Sequence, residues 1–308
     1  MSSSLGHALA LPAPDIAAAR RELVRQTARR SLTRRRAASR AIVVVCGLAV
    51  AVSLAPLAAL ATYTIARGMH ALSVSFLTHA PTPPGIPGGG ISNAIVGSAI
   101  VVGLATAMAV PTGMAVALFL AERRGPVADA IRFAADVLTG VPSIAIGIFA
   151  YAVLVEPFNH YSGLAGSFAL AVLMLPIIIR SNEAAMGAVP RDLWEAGLAL
   201  GARRARVVRS VVLRGSLPGL VTGNLLAIAR AVGETAPVLV TIFGSTLFTA
   251  SPLGPLAAMP LTIYTDGTQP YPTAQQIAWG TALVLLAFVL VLSIVARVVA
   301  GRLNRRTR

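Results

Sequence analysis

A chain of 308 residues that is 56% hydrophobic, only 12% charged and carries a formal net charge of +15 is not an ordinary soluble domain, since such domains hold about twice that share of charge. Its mean hydropathy of +0.77 means that most of its apolar surface is buried in lipid. All 26 basic residues are Arg, which excludes a phosphate-binding loop ending Gly-Lys-Ser/Thr and a Schiff-base lysine; if ATP is used, another chain hydrolyses it.

In chain order, residues 1–41 form a basic tail, with nine Arg between Arg20 and Arg40 against Asp15 and Glu22. The tail reads as largely disordered or interfacial. It is too long and too basic for a signal peptide, and the apolar run after it reaches spanning length. Cys46, the single cysteine, lies in that run, so neither an internal disulfide nor a cysteine metal cluster is available. The four His (His7, His70, His79 and His160) have no ligand spacing, and no metal site is expected.

Six spans of about 20 residues each are expected at 42–66, 94–120, 131–155, 163–180, 217–243 and 274–300. Pro111 with Gly113 should break the second and Pro142 the third, as membrane helices tolerate where neighbours take up freed carbonyls. Dense small residues, as in GSAIVVGLATAMA (97–109), suit close helix packing in lipid.

Six spans place Arg123, Arg124, Arg132, Arg191, Arg203, Arg204, Arg206, Arg209, Arg214 and the C-terminal Arg on the same side as the tail. The positive-inside rule then puts both termini in the cytoplasm of a multi-pass plasma-membrane protein. Nucleic-acid binding would not sort Arg by alternate loops. The opposite loops, 79–92 and 248–272, are rich in Pro and Gly and read as irregular connections, the second with an apolar middle and with Tyr264 and Tyr271 as headgroup anchors.

Charge inside the lipid is the strongest functional signal. Arg230 and Glu234 fall in the middle of the fifth span, four apart and so on one helix face; Arg180 and Glu183 lie three apart at the inner end of the fourth. A mid-bilayer Arg costs about 2.5–3.5 kcal/mol on insertion scales. One use is an internal brace. The other is an anion path, with the Arg230 fork meeting carboxylate, sulfate or phosphate oxygens and Glu234 steadying it. Between these spans, residues 191–214 are amphipathic and too rich in Arg to cross the bilayer, with Gly201 separating two helices. No nucleophile–base pair marks a catalytic site.

The stretch EAGLALG (195–201), followed by Val211 and Leu213, resembles the EAA loop of the membrane subunits of ABC importers, with Gly197 in place of the second Ala of that motif. LLAIARAVGETAP (225–237), SNAIVGSAIVVGLATAMAVPTGMAVALFLAE (92–122), LTGVPSIAIGIFAY (138–151) and LMLPIIIRSNEAAM (173–186) are similar, in order and spacing, to the PstA-type permease family of phosphate importers.

This resemblance implies an all-α membrane protein with the six-helix type I ABC importer permease fold. It divides the chain into a cytoplasmic tail (1–41), a permease domain (42–302) with a coupling loop (187–216) and a short C-terminal tail (303–308). It implies a PstC-like permease, a PstB-like ATPase dimer holding ATP and magnesium, and a PstS-like phosphate-binding protein as partners, with no cofactor in this chain. Leu193, Trp194, Glu195, Ala196, Gly197 and Gly201 would dock the ATPase, and Arg180, Glu183 and Arg230 would line the phosphate path. Another oxyanion, phosphonate or sulfate, is the alternative cargo. A stand-alone secondary transporter would call for an inverted repeat, and none stands out.

Overall fold

The computed structural model describes residues 16–83, 86 and 88–306, and all regular structure among them is helical. The chain divides into two compact units, Met1–Thr62 and Tyr63–Arg308. The first unit consists, as far as it is described, of the helix α1 (Ile16–Gly68), whose last residues belong to the second. Its apolar side chains from Ile42 to Leu60 are exposed, as a lipid-facing span requires. The backbone is helical from Ile16, inside the stretch assigned to the basic tail; residues 1–15, His7 among them, lie outside the described residues.

The second unit adds α2 (Val74–Thr78), α3 (Ser92–Glu122), α4 (Pro126–Gly140), α5 (Ser143–Val155), α6 (Gly163–Gly187), α7 (Arg191–Ala199), α8 (Arg204–Val232), α9 (Ala236–Ile242), α10 (Met259–Gly267) and α11 (Pro272–Arg306). Five helices are long and apolar enough to cross a membrane, and a sixth span is reached if the bent pair α4–α5 is one crossing.

The core lies where α3, α6 and α8 meet. Val101, Ala105 and Ala109 of α3 stack at four-residue intervals against Leu170, Met174 and Ile178 of α6, with Ala227 and Ala231 of α8 closing the third side. Lipid supplies no hydrophobic force between helices, so small residues that let backbones approach take over that role through dispersion contacts.

Several expected boundaries shift for local reasons. Pro111 does not break α3, and the Thr112 hydroxyl donates to the Met108 carbonyl at 2.6 Å. The third span is not straight: α4 and α5 meet at 103° around Val141–Pro142, because Pro142 has no N–H to give and forces Val141 into an extended conformation. The fourth runs on to Gly187. The fifth starts at Arg204 and stops at Val232, where Gly233 and then Pro237, in the first turn of α9, interrupt it.

The outer connection 248–272 is no simple loop. Leu256, Ala257, Ala258, Met259 and Leu261 are buried and lead into α10. Gly97 makes this possible, since a Cβ there would strike the Ala257 carbonyl. Ser98 accepts the Met259 N–H through Oγ at 2.8 Å, and Asn93 donates to the Ser245 carbonyl at 2.8 Å. Carbonyls of the same connection receive the N–H groups of Gly163 and Leu164, at 3.0 and 2.8 Å, which would otherwise go unpaired at the start of α6.

Candidate functional site

At the inner ends of α4 and α6 five charges form one chain. Glu183 of α6 uses both oxygens: Oε1 accepts from Arg132 Nε at 2.6 Å and Oε2 from Arg180 Nη1 at 3.0 Å. Arg132 reaches back to Asp129 at 2.8 Å, and Arg180 Nε pairs with Asp136 at 3.0 Å. Three carboxylates thus hold two guanidiniums. Arg132 and Glu183 are largely withdrawn from solvent, 24% and 18% exposed, so salt screens them little.

Arg132 also donates to the Leu120 carbonyl at 2.8 Å, and Arg204 pairs with Glu122 at 3.2 Å. The C-terminal end of α3 therefore receives two cations, which suits its unpaired carbonyls and its dipole. One arrives from the bent span, the other from the head of α8.

Beyond the cluster lies α7. Trp194 turns inward, against the group formed by Ala117, Met186, Val212 and Leu220. Gly197 faces Val207, whose methyls stand 3.0 and 3.2 Å from where a Cβ would sit. Leu193, Glu195, Ala196 and Leu198 are exposed, and Leu200 is 88% exposed. Gly201 then turns the chain at φ +76°, a conformation that suits glycine. A cleft of about 980 Å³ joins the two parts, with Arg180 and Glu183 on one wall and Trp194 and Glu195 on the other.

Arg230 and Glu234 stand apart from that cleft. Arg230 is in the last turn of α8, and Glu234 lies past the helix end, not on the helix as the spacing suggests. Their contact is an ion pair at 3.5 Å through Nε, and the Arg230 side chain is 59% exposed. Depth follows from Asn182, which donates to Asn224 at 3.1 Å and sets α6 level with α8. Arg230 is six residues after Asn224, about 9 Å along the axis, and Arg180 two residues before Asn182 on the antiparallel α6, about 3 Å. Both Arg are on the same side of that bond, yet only Arg180 has its donors engaged by two carboxylates.

Sequence reasoning placed Arg132 among the loop charges and passed over Asp129 and Asp136. The signal was their spacing, three and then four residues, which puts all three on one helix face. Arg180 is no helix-end residue either: α6 continues for two more turns.

Helices of spanning length, a detached amphipathic segment beyond their inner ends and charge held at depth define the membrane part of a transporter. The chain belongs to the family described as the binding-protein-dependent transport system inner membrane component, which it matches over residues 109–308; it is a multi-pass inner-membrane protein. It is 38% identical over 241 residues to the phosphate transport system permease protein PstA of Yersinia pestis, with 78% of this chain and 82% of that protein covered. To PstA 1 of Mycobacterium tuberculosis (strain H37Rv) the identity is 36% over 263 residues, covering 83% and 85%. Among solved structures, a chain of the MetNI methionine ABC transporter, in an inward facing form, superposes with a TM-score of 0.57 at 20% identity, over 69% of this chain and 97% of that one. That likeness gives the type I importer permease fold.

Proposed function

We propose that this chain is one transmembrane subunit of an ATP-driven importer that carries inorganic phosphate into the cell by alternating access. It is not itself an enzyme. ATP and its magnesium are held by a PstB-like ATPase dimer, and cargo arrives from a PstS-like binding protein on the outer face. The observation that carries this reading is Arg230, a guanidinium at the broken end of the fifth span, 59% exposed and held only through Nε. Its two terminal nitrogens are left for the oxygens of an anion, which a planar fork binds in pairs. An exposed face at bilayer depth also needs a neighbour, and a PstC-like second permease would close the path around it.

The outward face of α7 is the docking surface for the ATPase. Leucines at 51%, 46% and 88% exposure (Leu193, Leu198 and Leu200) lie beyond the spans and so are not covered by lipid. Motion imposed there reaches the α3 end through Arg204, and from it Arg132 and Glu183. The clustering of loop Arg on this side supports a cytoplasmic location for both termini.

Proteoliposomes holding the full complex test the reading. Addition of ATP inside the compartment that the ATPase faces, with phosphate-loaded binding protein outside, should drive radiolabelled phosphate across, and excess sulfate or phosphonate should leave it unchanged. Competition by either oxyanion would reassign the cargo, and uptake without the ATPase would overturn the importer.

A further inference from the structure

At the opposite end of the spans from α7, a cavity of about 540 Å³ opens where the starts of α3 and α11 meet α10 and the connection after α9. Asp266 is its one ionisable side chain among the described lining residues. The carboxylate is about half buried, no ion pair reaches it among the described residues, and burial alone lifts its pKa to about 6. The Thr273 hydroxyl, which lines the same cavity, is buried without a hydrogen-bond partner among the described residues. Two polar groups withdrawn from water and left unanswered call for a partner that supplies donors.

The rim indicates what that partner is. Phe243 is held at φ +67°, a left-handed conformation rare for a bulky residue, and is 70% exposed while stacked on Tyr161 with ring centres 5.0 Å apart. Leu247, at 72% exposure, stands nearby on the same rim. Aromatic and aliphatic surface around one desolvated charge is the pattern of a protein-binding anchor. A single carboxylate is too few ligands for a divalent metal ion, which takes six or more oxygens.

We propose that this cavity is a socket for a Lys or Arg side chain of the extracytoplasmic binding protein, with Asp266 as the counter-charge and the Thr273 hydroxyl as a second acceptor. The socket rests on the importer reading above and adds to it the chemistry by which the binding protein is seated.

The test uses the complete complex in lipid nanodiscs, with ATP hydrolysis measured against the concentration of phosphate-loaded binding protein. Asp266→Asn should raise the half-saturating concentration about tenfold, Asp266→Lys further, with the rate at saturation retained. An acidic substitution of one surface Lys or Arg on the binding protein should restore Asp266→Lys. Equal half-saturation in wild type, Asp266→Asn and Asp266→Lys overturns the socket while leaving the importer standing. Loss of the second permease from the purified Asp266→Asn complex also overturns it, since the cavity then belongs to the interface between permeases. A wild-type complex that the binding protein does not stimulate overturns the importer reading itself.

Discussion

The charges near the inner end of the helical frame and those toward its outer end are arranged by opposite rules. Around Glu183 nearly every donor and acceptor is matched: Arg132 serves Asp129, Glu183 and the Leu120 carbonyl, and Arg180 serves Glu183 and Asp136. Toward the outer end Arg230 has one long contact and Asp266 none. A matched network fixes geometry, because a new ligand must first break hydrogen bonds already made. An unmatched charge is costly to keep and is ready to bind. The inner cluster therefore holds helices in register, whereas Arg230 is left unmatched, as the proposed encounter with the cargo requires.

Arg230→Gln breaks the comparison most directly. It keeps a polar side chain, though a shorter one, and removes the charge and the fork, so phosphate uptake should fall by at least about a hundredfold. Subunit stoichiometry after purification should be unchanged, because only the 3.5 Å contact to Glu234 is lost from the fold. Retained uptake would assign Arg230 to a brace. Next in size is the docking face. Leu200→Asp puts a charge on the most exposed leucine of this surface, just past the end of α7, and should lower ATPase association in pull-down titrations by about tenfold or more. Uptake falls in proportion while phosphate binding at the outer face persists.

The inner cluster should answer differently. Arg132→Ala leaves Glu183 with a single partner and the Leu120 carbonyl without its donor, so thermal unfolding of the complex should show a loss of about 1–3 kcal/mol. Joint replacement of Arg132 and Glu183 by Met should recover part of it, since it removes both withdrawn charges together, leaving Arg180 with Asp136 and only the exposed Asp129 without a partner. Additive losses would mean that the 2.6 Å bond has no energetic weight. Recovery of stability without recovery of uptake would give the cluster a part in transport beyond holding the helices in register.

The elements that hydropathy and charge mark strongly were legible. A long or broken helix lies at each expected apolar run, though the third is bent and the fifth begins and ends earlier than expected; Gly201 separates two helices, and Arg180 with Glu183 forms the expected pair. What stayed hidden depends on partners remote in sequence. The span 217–243 reads as continuous because averaging over an apolar window masks Gly233 and Pro237. Residues 256–261 are too short to suggest a span, and only the notch at Gly97 shows that they are core. Arg132 counts as a loop charge until Glu183, 51 positions away, is seen against it. Asp266 stands in a stretch of turn-forming residues, where nothing marks it as enclosed.

The smallest effect separates the two ends by pH. Burial raises the Asp266 pKa to about 6, so between its ordinary range and that value the enclosed group takes up a proton that an exposed aspartate would release. With the raised value, the unpartnered protein loses stability as pH climbs to about 6 and loses no more above it. Docking follows the opposite sign, because only the ionised carboxylate attracts a cation. Lowering the pH from 7.5 to 5.5 should therefore raise the half-saturating concentration of binding protein by about three- to fourfold. Asp266→Asn should flatten that profile, whereas Arg132→Ala should leave it in place. A profile that keeps its shape in Asp266→Asn would move the titration to the binding protein and leave the outer end with Arg230 as its one functional charge.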